Sequence, residues 1–181
     1  VPEDLAEYRS LLEKVRASTA AVEERRGADL ACARGCDQCC HVRLEVLPVE
    51  AAAIRVHLEV MEPAQRAAIE RRAEAPGDRC VMLAPDGSCD IYEARPLVCR
   101  TQGHALAYPA GVIPEDAVRA RAGGDVTWCP LNYRDAPPSG PDVLWMELLD
   151  RLLFVVNQRF AELRGPDPES RTPLATLATG G

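Results

Sequence analysis

Four of the eight cysteines fall within nine residues, Cys32-Ala33-Arg34-Gly35-Cys36-Asp37-Gln38-Cys39-Cys40. The others come singly, at Cys80, Cys89, Cys99 and Cys129. Loops this short cannot carry their sulfurs far apart, so several thiols must share one neighbourhood. Thiolates are strong ligands for zinc and for iron–sulfur clusters, and closely spaced cysteines bring several sulfurs to one centre. Metal ligation is therefore the leading explanation. The alternative is four disulfides, and three observations count against it. The cysteine content is below that of a disulfide scaffold. The chain has 181 residues, enough for a hydrophobic core, and its acidic, amphipathic N-terminus does not read as an export signal. Cys39 and Cys40 are adjacent, with alpha carbons about 3.8 Å apart, closer than most bridged cysteines.

Charge narrows the range of partners. The net charge is −7, and the basic residues are scattered and almost all arginine, with Lys14 the only lysine. A nucleic-acid footprint needs a basic face, so no nucleic-acid partner is expected. No apolar run is long enough to span a membrane, and the expected location is cytoplasmic. Aromatic residues make up only 4% of the chain, so a bound metal is a natural source of added stability. Structural zinc contributes roughly 10–16 kcal/mol of apparent binding energy in small modules.

Periodicity predicts helices at both ends. Leu5, Tyr8, Leu12, Val15 and Val22 recur at helical spacing over residues 2–26, with Glu3 and Asp4 at the start and Arg25 and Arg26 at the end. Pro48 opens a second helix, with Leu47, Ala51, Ile54, Leu58 and Met61 on one face, and Pro63 opens a third. The middle is rich in turns. Residues 80–83 and 89–92 flank Ala84-Pro85-Asp86-Gly87-Ser88 as a hairpin or paired turn. Pro96 starts a helical turn, and residues 104–108 and 112–113 suggest a second hairpin. Residues 125–133 read as irregular chain carrying Cys129. A helix over residues 141–164 carries an apolar stripe, Trp145, Leu149, Leu152, Val156, Phe160 and Leu163. Leu148, Leu153 and Val155 widen it enough to imply burial between other helices. The expected fold is mainly α, a helical frame around a loop-rich cysteine hub with short β-hairpins. It forms one metal-binding domain over residues 1–165 with its cysteine core at about 32–132. A mostly loose tail follows over residues 166–181, in which Thr172-Pro173-Leu174 and Leu177 can dock a final turn.

The spacing of the cysteines does not match an ordinary zinc ribbon. Cys36-x2-Cys39 is one knuckle-like pair, and a ribbon needs two. Cys32-x3-Cys36-x2-Cys39 has the spacing that holds three irons of a [4Fe–4S] cluster in radical S-adenosylmethionine enzymes, but the chain is too short for their barrel. Adjacent side chains diverge, so Cys39 and Cys40 are expected to face different surroundings. Eight thiols can fill two four-ligand sites, or one cluster plus structural cysteines. The two cysteine groups, neither of which makes a standard site alone, are expected to join in one hub.

The chain resembles the CxxCxxCC family of bacterial proteins, described as a zinc- or iron-chelating domain. The resemblance is carried by Cys32 with Cys36-Asp37-Gln38-Cys39-Cys40, by Cys80, and by Cys129-Pro130. The longest matching string is Gly87-Ser88-Cys89-Asp90-Ile91-Tyr92-Glu93-Ala94-Arg95-Pro96-Leu97-Val98-Cys99-Arg100. The resemblance covers roughly residues 32–132 and implies metal chelation. The flagellin lysine N-methylases are similar in their cysteine set, which implies an iron–sulfur cluster. No S-adenosylmethionine fingerprint accompanies it here, so methylation is not carried over.

Other residues have competing readings. His41 and His104 stand near cysteines, but eight thiols suffice as ligands and a loop role is the simpler reading. His57 is expected on a helix surface. Arg95 and Arg100 bracket Cys99. They can donate to sulfurs or to a bound anion, which would assign them to cofactor binding, or pair with Glu93 or Asp90. Tyr92 reads as core, and Glu45 and Glu50 as solvated helix-flanking groups. No nucleophile–base pair, phosphate loop or H-E-x-x-H motif is present. Three function classes follow. The first is a metal- or cluster-binding protein in metal handling or redox, the second an enzyme with a catalytic metal, and the third an interaction module with structural zinc and a protein partner. Iron–sulfur is favoured over zinc.

Overall fold

Prolines and acidic residues mark where the helices begin, as the missing proline N–H and the helix dipole require. The computed structural model describes residues 3–75, 77–113, 120–122 and 125–180. In chain order the elements are α1 (Ala6–Arg26), β1 (Glu45–Val46), α2 (Pro48–Glu59), α3 (Pro63–Glu74), α4 (Leu97–Thr101), β2 (Ala105–Ala107), β3 (Ala120–Ala122), β4 (Val126–Trp128), β5 (Val143–Trp145), α5 (Met146–Arg164), β6 (Thr172–Pro173) and α6 (Leu174–Ala178). The fold is mainly α with small β elements. Among the described residues, no helix is long and apolar enough to cross a membrane.

The chain divides into two compact units, where the sequence reads as one domain. The first comprises residues 1–9, 34–96 and 155–181, and the second residues 10–33 and 97–154.

In the first unit, Ile54 and Leu58 of α2, Ile69 and Ala73 of α3, and Leu174, Leu177 and Ala178 of α6 form one buried cluster. Val81, Met82 and Ile91 enter the same cluster from the cysteine-bearing loop. The apolar neighbours of Cys80 and Cys89 are therefore anchored in the core, which fixes where those thiols stand. The C-terminal tail is not loose. β6 pairs antiparallel with β1, Thr172 opposite Val46, and the Leu174 N–H donates to the Leu44 carbonyl. Leu174 and Leu177 bury their side chains because they sit three apart on a short helix. Glu50 also departs from its expected solvated role. It is buried, accepting hydrogen bonds from the Leu47 N–H at 3.2 Å and the Tyr8 hydroxyl at 3.4 Å.

The second unit holds a four-stranded sheet in the order β3-β4-β2-β5, with β2 antiparallel to β4 and parallel to β5. Its core joins Val22, Ala105, Trp128 and Tyr133, the last two rings meeting edge-on at 6.1 Å. Asp142 is the polar keystone. It accepts from the Arg26 guanidinium at 2.5 Å and from the Ser139 N–H and hydroxyl, both at 2.9 Å, and it pairs with Arg25. Burial pushes this carboxyl up, but Arg26 and the Ser139 donors outweigh burial and hold it well below the usual carboxylate range.

Of the two forms expected for residues 80–83 and 89–92, the structure has the paired turn, joined by a single bridge from Leu83 to Cys89. Several expectations are corrected. Residues 105–107 pair with β4 and β5 rather than with residues 112–113. Residues 126–128 are a strand, not irregular chain, and residues 143–145 are a strand, so α5 begins at Met146. In α1, Leu11 is buried in place of Leu12. The wide stripe of α5 is not buried all round: Trp145, Leu148 and Leu163 are 66%, 57% and 71% exposed. The buried line runs through Met146, Leu153, Asn157, Phe160 and Ala161, so it keeps Phe160 and Leu153 of the expected face and adds residues to one side of it. Asn157 can lie on it because its side chain accepts from the Val49 N–H at 3.1 Å and donates to the Pro168 carbonyl at 2.8 Å.

Two substitutions test this packing. Leu177→Ala should cost about 2–4 kcal/mol by cavity formation, whereas a loose tail would make it neutral, and urea unfolding distinguishes the two. Asp142→Asn should cost about 2–3 kcal/mol at neutral pH, discounted because its arginine partners are partly exposed. Because the folded carboxyl titrates below its unfolded value, its contribution is complete above the unfolded pKa of about 3.9 and is lost as pH falls through the depressed value. Comparing unfolding at about pH 7 and about pH 3 should therefore show a gap between the original chain and Asp142→Asn that narrows in acid.

Candidate metal centre

Two turns of the first unit bring sulfurs together. In one, Cys36 to Cys40, the Cys40 N–H closes on the Asp37 carbonyl at 2.8 Å. The Asp37 carboxylate is in turn held by Arg79 at 2.7 Å. The other turn carries Cys80 and Cys89, tied by hydrogen bonds from Leu83 N–H to the Cys80 carbonyl and from Tyr92 N–H to the Cys89 carbonyl. The turns are stitched directly, since the Cys80 N–H donates to the Cys40 carbonyl at 2.7 Å. They also meet where Gly87, at φ +83°, sits so that a Cβ would lie 3.1 Å from the Gly35 carbonyl oxygen. Both the left-handed backbone and the close approach favour glycine there.

The electrostatics of this unit follow from that crowding. The Cys39 thiol is pushed far up, first by its hydrogen bond with the Cys40 thiol, then by desolvation and by the neighbouring charge of Cys40. Burial pushes Cys80 up, and Cys39 adds to the effect. Burial pushes Cys89 up, and Cys80 adds to it. Arg95 opposes the rise at Cys39 and Cys89, and Arg72 opposes it at Cys80. Cys39, Cys40, Cys80 and Cys89 thus form one electrostatic neighbourhood in which a full set of thiolates is unfavourable without a cation.

Tyr92 is half-buried rather than core. The Arg95 guanidinium stacks 3.7 Å from its ring centre, and that of Arg34 stands at 5.6 Å. Arg95 also donates to the Tyr92 carbonyl at 3.2 Å, so its charge is held close to the thiols. Asp90, one of the expected arginine partners, is bound to Arg72 and Gln65 instead. A cavity of about 540 Å³ opens beside Cys80, lined among others by Arg43, Glu45, Val81 and Leu174.

The second unit holds Cys32, Cys99 and Cys129. Cys32 is exposed, and Cys99, on α4, and Cys129, after β4, are half-buried. Arg100 is half-buried on α4. The sequence reading missed the buried Asn132, which donates to the Cys32 sulfur at 3.2 Å. The signal for it was faint, a lone amide three residues after Cys129. His41 is an exposed loop residue 4.0 Å from Asp37. His57 is half-buried. His104 is buried, which disfavours its charged form, and among the described residues its Nδ1 has no hydrogen-bond partner.

None of the eight cysteines is in a disulfide. Among the described residues, no three Cys, His, Asp or Glu side chains already stand as a single-ion site. The donor set still fits a thiophilic metal. Sulfur is its only abundant ligand type, the thiols of the first unit lie on two hydrogen-bonded turns, and a cation would offset the charge that keeps them protonated.

Comparison with known proteins agrees with this donor chemistry. No curated protein and no solved structure matches the chain. A family model, CxxCxxCC, described as a "putative zinc- or iron-chelating domain", matches residues 31–128, which include seven of the eight cysteines. Over half its length, then, and through the segments that carry its clustered thiols, this chain belongs to the CxxCxxCC family.

Proposed function

We propose that the chain is a metal-chelating protein that holds an iron–sulfur cluster through cysteine thiolates and acts in metal handling or redox. The observation that carries this reading is the pair of hydrogen-bonded turns that brings Cys39, Cys40, Cys80 and Cys89 together, where burial and neighbouring sulfurs raise the Cys39, Cys80 and Cys89 thiols. Ionising these thiols together is unfavourable without metal and becomes favourable once a cation is bound. Cys36 is assigned as a further ligand in the same unit, and Cys32, Cys99 and Cys129 as the thiolate ligands of the second unit. Arg95 and Arg100 are assigned to offset the negative charge of the ligands, and Arg95 already opposes the rise at two thiols.

A bound cluster or zinc ion would add a positive centre. The residues would contribute sulfur ligation, a nearby guanidinium and partial exclusion of water. The Cys32-x3-Cys36-x2-Cys39 spacing and the missing second zinc knuckle favour iron–sulfur. Tetrathiolate zinc is the second reading, favoured by the tolerance of such sites for irregular spacing.

Protein purified without oxygen should contain iron and acid-labile sulfide and absorb broadly near ~400 nm, as thiolate-ligated clusters do. Stoichiometric zinc without iron or sulfide would reject the cluster and leave chelation standing. Cys39→Ser or Cys80→Ser should release the metal, whereas His41→Ala should retain it.

The raised thiols also set a pH dependence. Cys39, Cys80 and Cys89 keep their protons at neutral pH without metal, and binding must expel them. Affinity should rise with pH, by about tenfold per unit for each proton released. Proton release on metal addition in lightly buffered solution checks this, and pH-independent affinity would contradict it.

A further inference from the structure

In the second unit, one buried carboxamide organises the surroundings of a thiol. Asn132 is only 2% exposed, and all its side-chain hydrogen-bonding groups have defined partners. Its Oδ1 accepts from the Ala31 N–H at 2.8 Å. Its Nδ2 donates to the Gly103 carbonyl at 2.7 Å and to the Cys32 Sγ at 3.2 Å. The orientation of the amide is decided by these partners, because Ala31 offers only a donor and Gly103 only an acceptor. The group facing the Cys32 sulfur is therefore an N–H.

The same residue joins Cys32 to the other cysteine segments of this unit. Its backbone N–H donates to the Cys129 carbonyl at 2.9 Å. The Gly103 carbonyl it binds also accepts from the Cys129 N–H at 3.3 Å. Gly103 lies just beyond α4, which carries Cys99, and adopts φ +98°. A Cβ there would stand 2.3 Å from the Cys32 Sγ and 3.3 Å from the Asn132 Nδ2. Any larger residue would displace the sulfur or the amide that holds it.

We infer that Asn132 is a positioning residue for Cys32, fixing its sulfur and stabilising it as a thiolate ligand. The inference rests on the reading of the cysteines as metal ligands. An N–H aimed at sulfur favours the charged form and withdraws electron density from it, as hydrogen bonds around metal-bound thiolates do. The carboxamide does this without a charge of its own, so its effect does not depend on pH.

The experiment uses the full chain loaded with cobalt(II), whose thiolate-to-metal charge-transfer band reports on the sulfurs. Asn132→Asp keeps the shape but replaces the donor with an acceptor. It should weaken cobalt binding by about tenfold to a hundredfold and move the band to longer wavelength, with the far-ultraviolet circular dichroism retained. In a Cys32→Ser background, Asn132→Asp should add almost nothing, since both act through one sulfur. Additive losses, an unmoved band, or full cobalt affinity in Cys32→Ser would each overturn the inference and leave metal chelation intact. A chain that takes up no cobalt would overturn both. If Asn132→Asp fails to fold, the unmodified chain loaded with an NMR-active cadmium isotope decides the matter. One Asn132 carboxamide proton should then couple to cadmium through the Cys32 sulfur, and its absence from a cadmium-loaded chain would overturn the inference.

Discussion

Thiolates repel one another, and burial makes each of them harder to form. The Cys36–Cys40 turn and the Cys80–Cys89 loop nevertheless meet through the hydrogen bond from Cys80 N–H to the Cys40 carbonyl. Cys39 shares a hydrogen bond with the Cys40 thiol and raises Cys80, which in turn raises Cys89. The rest of the first unit serves to keep this arrangement in place. Val81, Met82 and Ile91 root the loop in the core, α2, α3 and α6 supply that core, and Gly87 allows the two turns to touch.

The two units treat their cysteines differently. In the first, guanidinium groups moderate the thiols: Arg95, stacked on Tyr92, acts on Cys39 and Cys89, and Arg72 acts on Cys80. In the second, a neutral amide addresses Cys32, and a salt-bridged carboxylate, Asp142, braces the residues around Arg25, Arg26 and Ser139. Charge and dipole are alternative ways to favour a thiolate, the first stronger and more easily screened, the second local and directional.

The helices were legible because their signals are local. Pro48 and Pro63 stand at the first positions of α2 and α3, Arg25 and Arg26 end α1, and apolar spacing marks the faces of α1 and α2. The short strands were harder to read. The strand at Ala105–Ala107 was legible within residues 104–108, but its partners were not, because it is buried on every residue between β4 and β5 rather than paired with the next segment. The stripe on α5 misled because hydrophobicity names an apolar face but not what covers it, and Asn157 took a place on the buried line once Val49 and Pro168 satisfied it.

By itself the sequence determined the chemistry: eight thiols, their density between Cys32 and Cys40, and the family to which residues 31–128 belong. These depend only on residue type and short spacing. Tertiary structure alone decided which sulfurs become neighbours and what touches them. Cys40 and Cys80 are forty residues apart yet share a backbone hydrogen bond, and Asn132 reaches a sulfur a hundred positions away. No local pattern encodes such pairs, because they arise where separate segments of one unit pack against that unit's own core.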